Sequence, residues 1–178
     1  AGNLKERLHE LEHQVRDMLV FARGELPLTD RLTPKALFQA LQQAAQVQVQ
    51  GHSVRWQCDS HLGELLCNRD TLVGAVLNLV ENALQASEGE ARIKVHLYRR
   101  GACLRLCVSD AGAGIDGELL QRLGEPFLTT KATGTGLGLA VVKAIARAHQ
   151  GELHLRSRKG RGTCAMVVLP LIGALSEA

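Results

Sequence analysis

The sequence predicts an α+β fold for most of its 178 residues. Two pairs of segments alternate apolar and polar residues, and a short glycine-containing turn separates the members of each pair, which is typical of β-hairpins. Other segments place an apolar residue at every third or fourth position, as on one face of an α-helix. The length suits one domain, or one domain with a short extension.

Composition argues against several functions. A net charge of +3 is too small to indicate a polyanionic partner, and one Trp, one Tyr and three Phe provide few platforms for stacking bases, so we expect no nucleic-acid partner. No apolar run approaches the roughly 18 residues that span a bilayer, so we expect no membrane contact. Five cysteines without a C-x-x-C pair favour buried thiols in a reducing cytoplasm over disulfides or a zinc site.

Residues 1–24 predict a helix that packs along another helix. Apolar residues recur in alternating steps of four and three: Leu4, Leu8, Leu11, Val15, Met18 and Ala22. This a/d heptad seam implies a partner helix, because so short a seam is not stable alone. An ordinary amphipathic surface helix is the alternative. Gly24 ends the helix, and residues 25–30 read as a linker.

The same signals predict the remaining elements. Helices are predicted over 34–49, 69–86, 117–123 and the apolar run that follows Gly138. Strands are predicted over 53–59, 64–67, 92–98, 103–109, 152–157 and 162–169. Pro34 suits the first turn of its helix, and Pro170 ends the last strand.

The polar strip of helix 69–86 carries candidate ligands. On a helical projection Asn78, Glu81, Asn82 and Gln85 fall opposite a broad apolar face formed by Leu72, Val73, Val76, Leu77, Val80, Ala83 and Leu84. Asn is a poor helix former, so two of them four residues apart in mid-helix require a reason. A carboxamide oxygen can ligate a hard cation such as Mg²⁺. Taken alone, the strip is explained more simply as a solvated polar face.

Asp110 ends strand 103–109 and leads into the turn A-G-A-G-I. A carboxylate in this place can point into a pocket, while the glycines keep the walls of the pocket thin. An Asx turn that caps the strand explains the same residues equally well.

The stretch 125–149 predicts a phosphate site. Thr129, Thr130 and Lys131 lead into alternate glycines at positions 134, 136 and 138, and a helix follows. Glycines let the backbone approach an anion, and the first N–H groups of the helix point towards it. The pattern matches neither the P-loop nor the dinucleotide-binding glycine motif, and a glycine-rich turn that only enters a helix is the alternative.

Taken in order, these segments resemble one family. N-L-V-E-N-A at 78–83 resembles an N box, D-A-G-A-G-I at 110–115 a G1 box, and E-P-F-L-T-T-K with G-T-G-L-G-L at 125–139 the F and G2 boxes. The set is similar to the catalytic and ATP-binding domain of bacterial two-component sensor histidine kinases, within the gyrase, Hsp90, histidine kinase and MutL superfamily. Gln85 and the T-T-K segment indicate the nitrogen-regulation-type subclass, with a flagellar-regulatory kinase as the narrower expectation.

The resemblance implies a two-layer α/β sandwich of the Bergerat type with a mixed, mostly antiparallel sheet. This catalytic domain would cover residues 31–172, followed by a tail over 173–178. Residues 1–24 would be the C-terminal helix of the dimerisation and phosphotransfer hairpin.

The resemblance also implies roles for single residues. Asn82 would bind Mg²⁺, and Asn78 would support the metal or the triphosphate. Asp110 would accept a hydrogen bond from the adenine amine, with Thr163 helping to hold it. Further contacts to ATP would come from Gly112, Gly114, Ile115, Thr129, Thr130, Lys131, Gly134, Thr135, Gly136, Leu137 and Gly138. Catalytic roles would fall to Asn78, Glu81 and Lys131.

The implied activity is transfer of the γ-phosphoryl group of ATP to a histidine on an upstream helical domain, for relay to an Asp of a response regulator. The full-length protein would be a homodimer. His9 and His13 lack the context of a phosphoacceptor box, so the acceptor is expected upstream of residue 1. An ATPase clamp and a non-catalytic dimerising regulator are the alternatives. Asn78 stands where clamps usually carry an acidic residue, and the intact motifs argue against the regulator.

Overall fold

The computed structural model describes residues 4–8, 26–122 and 138–173. Residues 4–8 are helical and form α1. The other helices are α2 (Pro34–Ala45), α3 (Arg69–Gln85), α4 (Gly117–Arg122) and α5 (Gly138–Ala148). The strands are β1 (Asp30–Leu32), β2 (Ser53–Cys58), β3 (Leu65–Cys67), β4 (Arg92–Arg100), β5 (Cys103–Asp110), β6 (Glu152–Arg158) and β7 (Gly162–Pro170).

Five of the strands form one sheet in the order β2-β4-β5-β7-β6. β2 runs parallel to β4, and every other neighbouring pair in this sheet is antiparallel. The predicted hairpins β4–β5 and β6–β7 are both present. The mixed, mostly antiparallel sheet that the resemblance implies is therefore confirmed.

Helices α2, α3 and α5 pack against one face of the sheet. Because side chains alternate across a strand, the apolar set of each strand lies on this face. The core strand residues are Ile93, Val95, Leu97, Leu104, Leu106, Val108, Ala165, Val167 and Leu169. The intervening residues of β5 and β7 lie on the opposite face. Burial under the helices thus determines which side chains of each strand point into the core.

Helix α2 ends earlier than the sequence predicts. Thr33 caps its start by accepting a hydrogen bond from Ala36 N at 3.2 Å, and Pro34 follows in the first turn. The helix ends at Ala45, and residues 46–50 form turns. The segment beyond Ala45 alternates valine with glutamine up to Gly51, and β-branched residues and glycine are poor helix formers.

A short strand that the sequence did not reveal begins at the last residue of the predicted linker. β1 has three residues and pairs antiparallel with β3 in a separate two-stranded sheet. Asp30 Oδ2 accepts a hydrogen bond from Arg69 N at 2.9 Å, and Asn68 Nδ2 donates to Pro27 O at 3.1 Å. The chain entering the domain is therefore bound to the start of α3.

Candidate functional site

Helix α3 carries the predicted metal and triphosphate ligands. Asn68 is its N-cap and accepts a hydrogen bond from Thr71 N at 3.3 Å, and Ala86 is its C-cap. The buried residues of the helix are Leu72, Ala75, Val76, Leu79, Val80 and Ala83. The predicted apolar face was therefore partly wrong, since Val73, Leu77 and Leu84 are only half-buried. Contacts from α2 and α5 as well as the sheet rotate the buried arc.

The polar strip of α3 divides into two parts. Asn78 and Asn82 are half-buried at the edge of the core, whereas Glu81 and Gln85 are exposed. Gln85 Nε2 donates a hydrogen bond to Glu81 Oε1 at 3.2 Å. Asn78 Nδ2 is buried and has no hydrogen-bond partner among the residues that the structure describes. Buried polar atoms are nearly always paired. The buried amide of Asn78 is therefore better explained by a hydrogen bond to a ligand oxygen than by a solvated polar face.

Asp110 lies half-buried at the last position of β5. Its Oδ1 accepts a hydrogen bond from Gly112 N at 2.9 Å, which is the Asx turn that the sequence left as an alternative. The turn does not exclude a second role, because a carboxylate has two oxygens and about four acceptor positions.

The turn after Asp110 packs tightly against two neighbouring elements. Ala113 N donates a hydrogen bond to Ala86 O at 3.2 Å, and Gly160 N donates to Ala113 O at 2.6 Å. A Cβ on Gly112 would lie 2.5 Å from Ala86 O, and one on Gly114, whose φ is +72°, would collide with Arg158 O. The structure therefore gives both glycines a packing role, in addition to the room for a base that the resemblance implies.

Thr163 lies directly opposite Asp110 in the β5–β7 register. Its Oγ1 is 2.8 Å from Ser157 Oγ, which donates to Gly162 O at 3.0 Å and accepts from Ile115 N at 2.8 Å. Ser157 thus connects β6, β7 and the turn that follows Asp110. Sequence reasoning gave Ser157 no role, because a serine in an alternating strand carries no distinguishing signal.

The phosphate loop falls largely outside the described residues. Seven predicted ligands lie outside the described residues, so their assignments stay predictions: Thr129, Thr130, Lys131, Gly134, Thr135, Gly136 and Leu137. Gly138 begins α5, which packs against α3. The N-terminus of a helix therefore belongs to the same layer as the Asn78–Asn82 strip.

A buried histidine connects α5 to the start of α3. His149 follows α5 and is 3% exposed. Its Nε2 accepts a hydrogen bond from Asn68 N at 3.0 Å, and its Nδ1 donates to Ile145 O at 2.7 Å. Burial lowers the pKa of His149, and the hydrogen bond from Nδ1 to Ile145 O opposes that shift. A neutral imidazole therefore joins the end of α5 to the start of α3.

Residues 67–173 match the family described as histidine kinase-, DNA gyrase B-, and HSP90-like ATPase, and the chain belongs to this family. Within the family it corresponds to the ATP-binding catalytic domain of sensor histidine kinases.

A sequence relative agrees with this assignment, and two solved structures share the fold. The chain is 75% identical to the sensor protein kinase FleS of Pseudomonas aeruginosa (strain PAO1) over 174 residues, which are 98% of this chain and 43% of FleS. The catalytic domain of histidine kinase ThkA matches at 24% identity with a TM-score of 0.71, covering 79% of this chain and 94% of that one. Full-length ShkA in complex with AMPPNP matches at 25% identity with a TM-score of 0.78, covering 91% of this chain and 36% of that one.

The chain spans less than half the length of FleS. Within the ranges that the structure describes, no helix is long and apolar enough to cross a membrane.

Proposed function

We propose that the chain binds ATP·Mg²⁺ between α3, the turn after β5 and the start of α5. The observation that carries this proposal is the pairing of Asp110 with Thr163 at the end of the sheet, beside the C-terminus of α3. The carboxylate of Asp110 would accept a hydrogen bond from the adenine amine. Thr163, whose hydroxyl contacts Ser157, would help to hold Asp110 in place. Gly112, Gly114 and Ile115 would line the base.

The metal proposal rests on α3. Asn82 would ligate Mg²⁺ through its carboxamide oxygen, and Asn78, whose Nδ2 is buried without a partner among the described residues, would donate to a triphosphate oxygen. Amide oxygens suit a hard cation without adding a second full negative charge beside the phosphates. When bound, Mg²⁺ would neutralise charge that develops on the phosphate oxygens.

The phosphate side of the site would come from α5 and the residues before it. The first N–H groups of α5, beginning at Gly138, would bind phosphate oxygens with support from the helix dipole. Lys131 would add a positive charge. The remaining residues of the predicted loop, Thr129, Thr130, Gly134, Thr135, Gly136 and Leu137, would complete the enclosure.

We infer that the γ-phosphoryl group passes to a histidine on an upstream helical domain and from there to an Asp of a response regulator receiver domain. Residues 1–24 would be the second helix of that domain, through which the full-length protein would form a homodimer in the cytoplasm. Phosphoryl transfer asks mainly for positioning and charge neutralisation, which the site residues would provide. The 75% identity to FleS supports a flagellar-regulatory sensor kinase, and Gln85 with the T-T-K segment supports the nitrogen-regulation type.

The test uses γ-labelled ATP and two proteins. The chain alone should acquire no acid-labile label, whereas mixing it with an upstream fragment that bears the acceptor helix should label that fragment. Asn82→Ala should abolish the transfer, and Gln85→Ala, an exposed neighbour on the same helix, should not. Label on His9 or His13 of the chain alone would overturn the acceptor assignment.

The same experiment addresses the ATPase alternative. Glu81 is the acidic residue nearest to Asn82, and it could assist a proton transfer, although it is exposed and bonded to Gln85. Rapid release of phosphate without any acceptor, abolished by Glu81→Gln, would favour an ATPase clamp. Slow release that Glu81→Gln leaves unchanged would support the kinase.

A further inference from the structure

Two cysteines approach each other on the face of the sheet opposite to α2, α3 and α5. Cys107 of β5 and Cys164 of β7 have their Sγ atoms 3.3 Å apart. In the register of the two strands Cys107 pairs with Met166 and Cys164 pairs with Ser109, so the two thiols are diagonal neighbours. Both are free thiols in the structure. Fifty-seven positions of sequence separate them, so only the pairing of β5 with β7 brings them together.

The two thiols differ in environment. Cys107 is buried at 9% exposure, whereas Cys164 is half-buried and reachable from solvent. The hydrogen bond between the two thiols lowers the pKa of Cys164; burial opposes this shift, while Ser109 and Arg156 reinforce it. The pKa of Cys107 is raised, chiefly by the same hydrogen bond and by burial. A more accessible thiol with a lowered pKa beside a buried thiol is the arrangement of an attacking and a resolving cysteine.

The neighbouring side chains favour sulfur chemistry over metal binding. His96 lies opposite Cys107, but its Nε2 is 3.0 Å from Asp59 Oδ1. His154 lies opposite Met166, but its Nε2 is 2.9 Å from Glu152 Oε2. Across the described part of the chain, no group of three or more His, Cys, Asp or Glu side chains could hold a metal ion.

We propose that Cys107 and Cys164 are a peroxide-sensitive thiol pair that closes to a reversible cross-strand disulfide and thereby weakens nucleotide binding. In the first step the Cys164 thiolate attacks one oxygen of a hydroperoxide, the O–O bond breaks, and Cys164 becomes a sulfenic acid. In the second step the sulfur of Cys107 attacks the Cys164 sulfur, the S–O bond breaks, and the thiol proton leaves with the hydroxyl as water. Two thiols are oxidised by two electrons, and one peroxide is reduced to two molecules of water or to water and an alcohol.

The disulfide would act on the nucleotide site through the strand itself. Its S–S length of about 2.05 Å requires the two Sγ atoms, now 3.3 Å apart, to approach by about 1.2 Å. Cys164 directly follows Thr163, which pairs with Asp110 and contacts Ser157. A shift of the β7 backbone would therefore disturb the pairing at Asp110. This coupling, unlike the disulfide, rests on the proposed role of Asp110 in binding adenine.

The experiment treats the whole chain with hydrogen peroxide and then with dithiothreitol, and it reads two quantities. Intact mass should fall by two hydrogens, and proteolysis should yield one cross-linked pair of peptides that contain Cys107 and Cys164. ATP affinity, measured by titration calorimetry, should fall on oxidation and return on reduction. Cys107→Ala and Cys164→Ala should each remove both changes, whereas Cys103→Ala, a half-buried cysteine at the start of β5, should keep them.

Other outcomes separate the parts of the proposal. A gain of oxygen without any cross-link, or a cross-link through other cysteines, would overturn the disulfide. A Cys107–Cys164 cross-link with unchanged ATP affinity would overturn the coupling to the site. Failure of the reduced chain to bind ATP at all would instead count against the proposed function, and the mass measurement would still decide the disulfide.

Discussion

His149 Nε2 accepts a hydrogen bond from the backbone N–H of Asn68 at 3.0 Å, across 81 positions of sequence. Asn68 is the N-cap of α3, the helix that carries Asn78 and Asn82. The bond requires a neutral ring, because a protonated imidazole has no acceptor nitrogen. The placement of α3 is therefore linked to the protonation state of a residue that follows α5.

This link predicts a stability that depends on pH. Burial lowers the pKa of His149 in the folded protein, whereas the unfolded chain takes up the proton near pH 6.5. Below about pH 6.5 the unfolded state therefore binds more protons than the folded state. As the pH decreases from there, the free energy of unfolding should fall by up to about 1.4 kcal/mol per pH unit until the folded-state pKa is reached. Above about pH 7 this contribution should be complete and constant.

Urea unfolding of the wild type and His149→Gln at several pH values between 5 and 8 would check this. Gln can still accept from Asn68 but does not titrate, so its curve should be flatter with pH. His154→Gln, which changes an exposed histidine, should follow the wild type. Equal pH slopes in wild type and His149→Gln would show that another group titrates.

Gly112 should tolerate no side chain. Because a Cβ would lie 2.5 Å from Ala86 O and 2.9 Å from its carbonyl carbon, Gly112→Ala must push the end of α3 away from the turn. We expect a loss of roughly 1–3 kcal/mol in the free energy of unfolding, as for other overpacked sites, and weaker ATP binding. Gly117→Ala is the matched control, since a Cβ there meets nothing within 4 Å. Chemical unfolding that ranks the two variants equally would contradict the packing role of Gly112.

Much of the fold could be predicted from local pattern. The hairpins β4–β5 and β6–β7 alternate strictly and have short turns, and α3 begins at an Asn cap, so their existence follows from neighbouring residues. β1 could not be predicted, because three residues carry no periodicity. The apolar face of α3 was misplaced because a helical projection assumes one partner surface, whereas α3 contacts α2, α5 and the sheet.

The candidate site divides in the same way. Local pattern alone left a simpler explanation open for Asp110 and for the two asparagines, and the ordered set of motifs selected them as candidates. The contacts that hold them could not be predicted from local pattern. Only the family resemblance suggested Thr163 as a partner of Asp110, which it faces in the β5–β7 register, and Ser157 and His149 act through hydrogen bonds between residues distant in sequence.

Asp110 should determine nucleotide selectivity. A carboxylate that accepts from the adenine amine would face a carbonyl oxygen when guanine enters, and a hydrogen bond to a charged group is worth about 1.5–3 kcal/mol. ATP should therefore bind at least about tenfold more tightly than GTP in titration calorimetry. Asp110→Asn is a sharper variant than Asp110→Ala, because the amide oxygen can still accept from Gly112 N and preserve the turn. Equal affinities for ATP and GTP in the wild type would refute the assignment.

Asn82 should matter for ATP binding only when the metal is present. If its carboxamide oxygen ligates Mg²⁺, Asn82→Ala removes one metal ligand, and the ATP affinity measured with Mg²⁺ should fall by about tenfold or more, the range expected when a group close to a bound metal is lost. With EDTA in place of Mg²⁺, the variant and the wild type should bind ATP with similar, weaker affinities. Gln85→Ala, an exposed change one turn further along α3, should leave both affinities unchanged. An equal loss for Asn82→Ala in the two buffers would mean that Asn82 is a structural residue, and the metal ligand would have to be sought elsewhere.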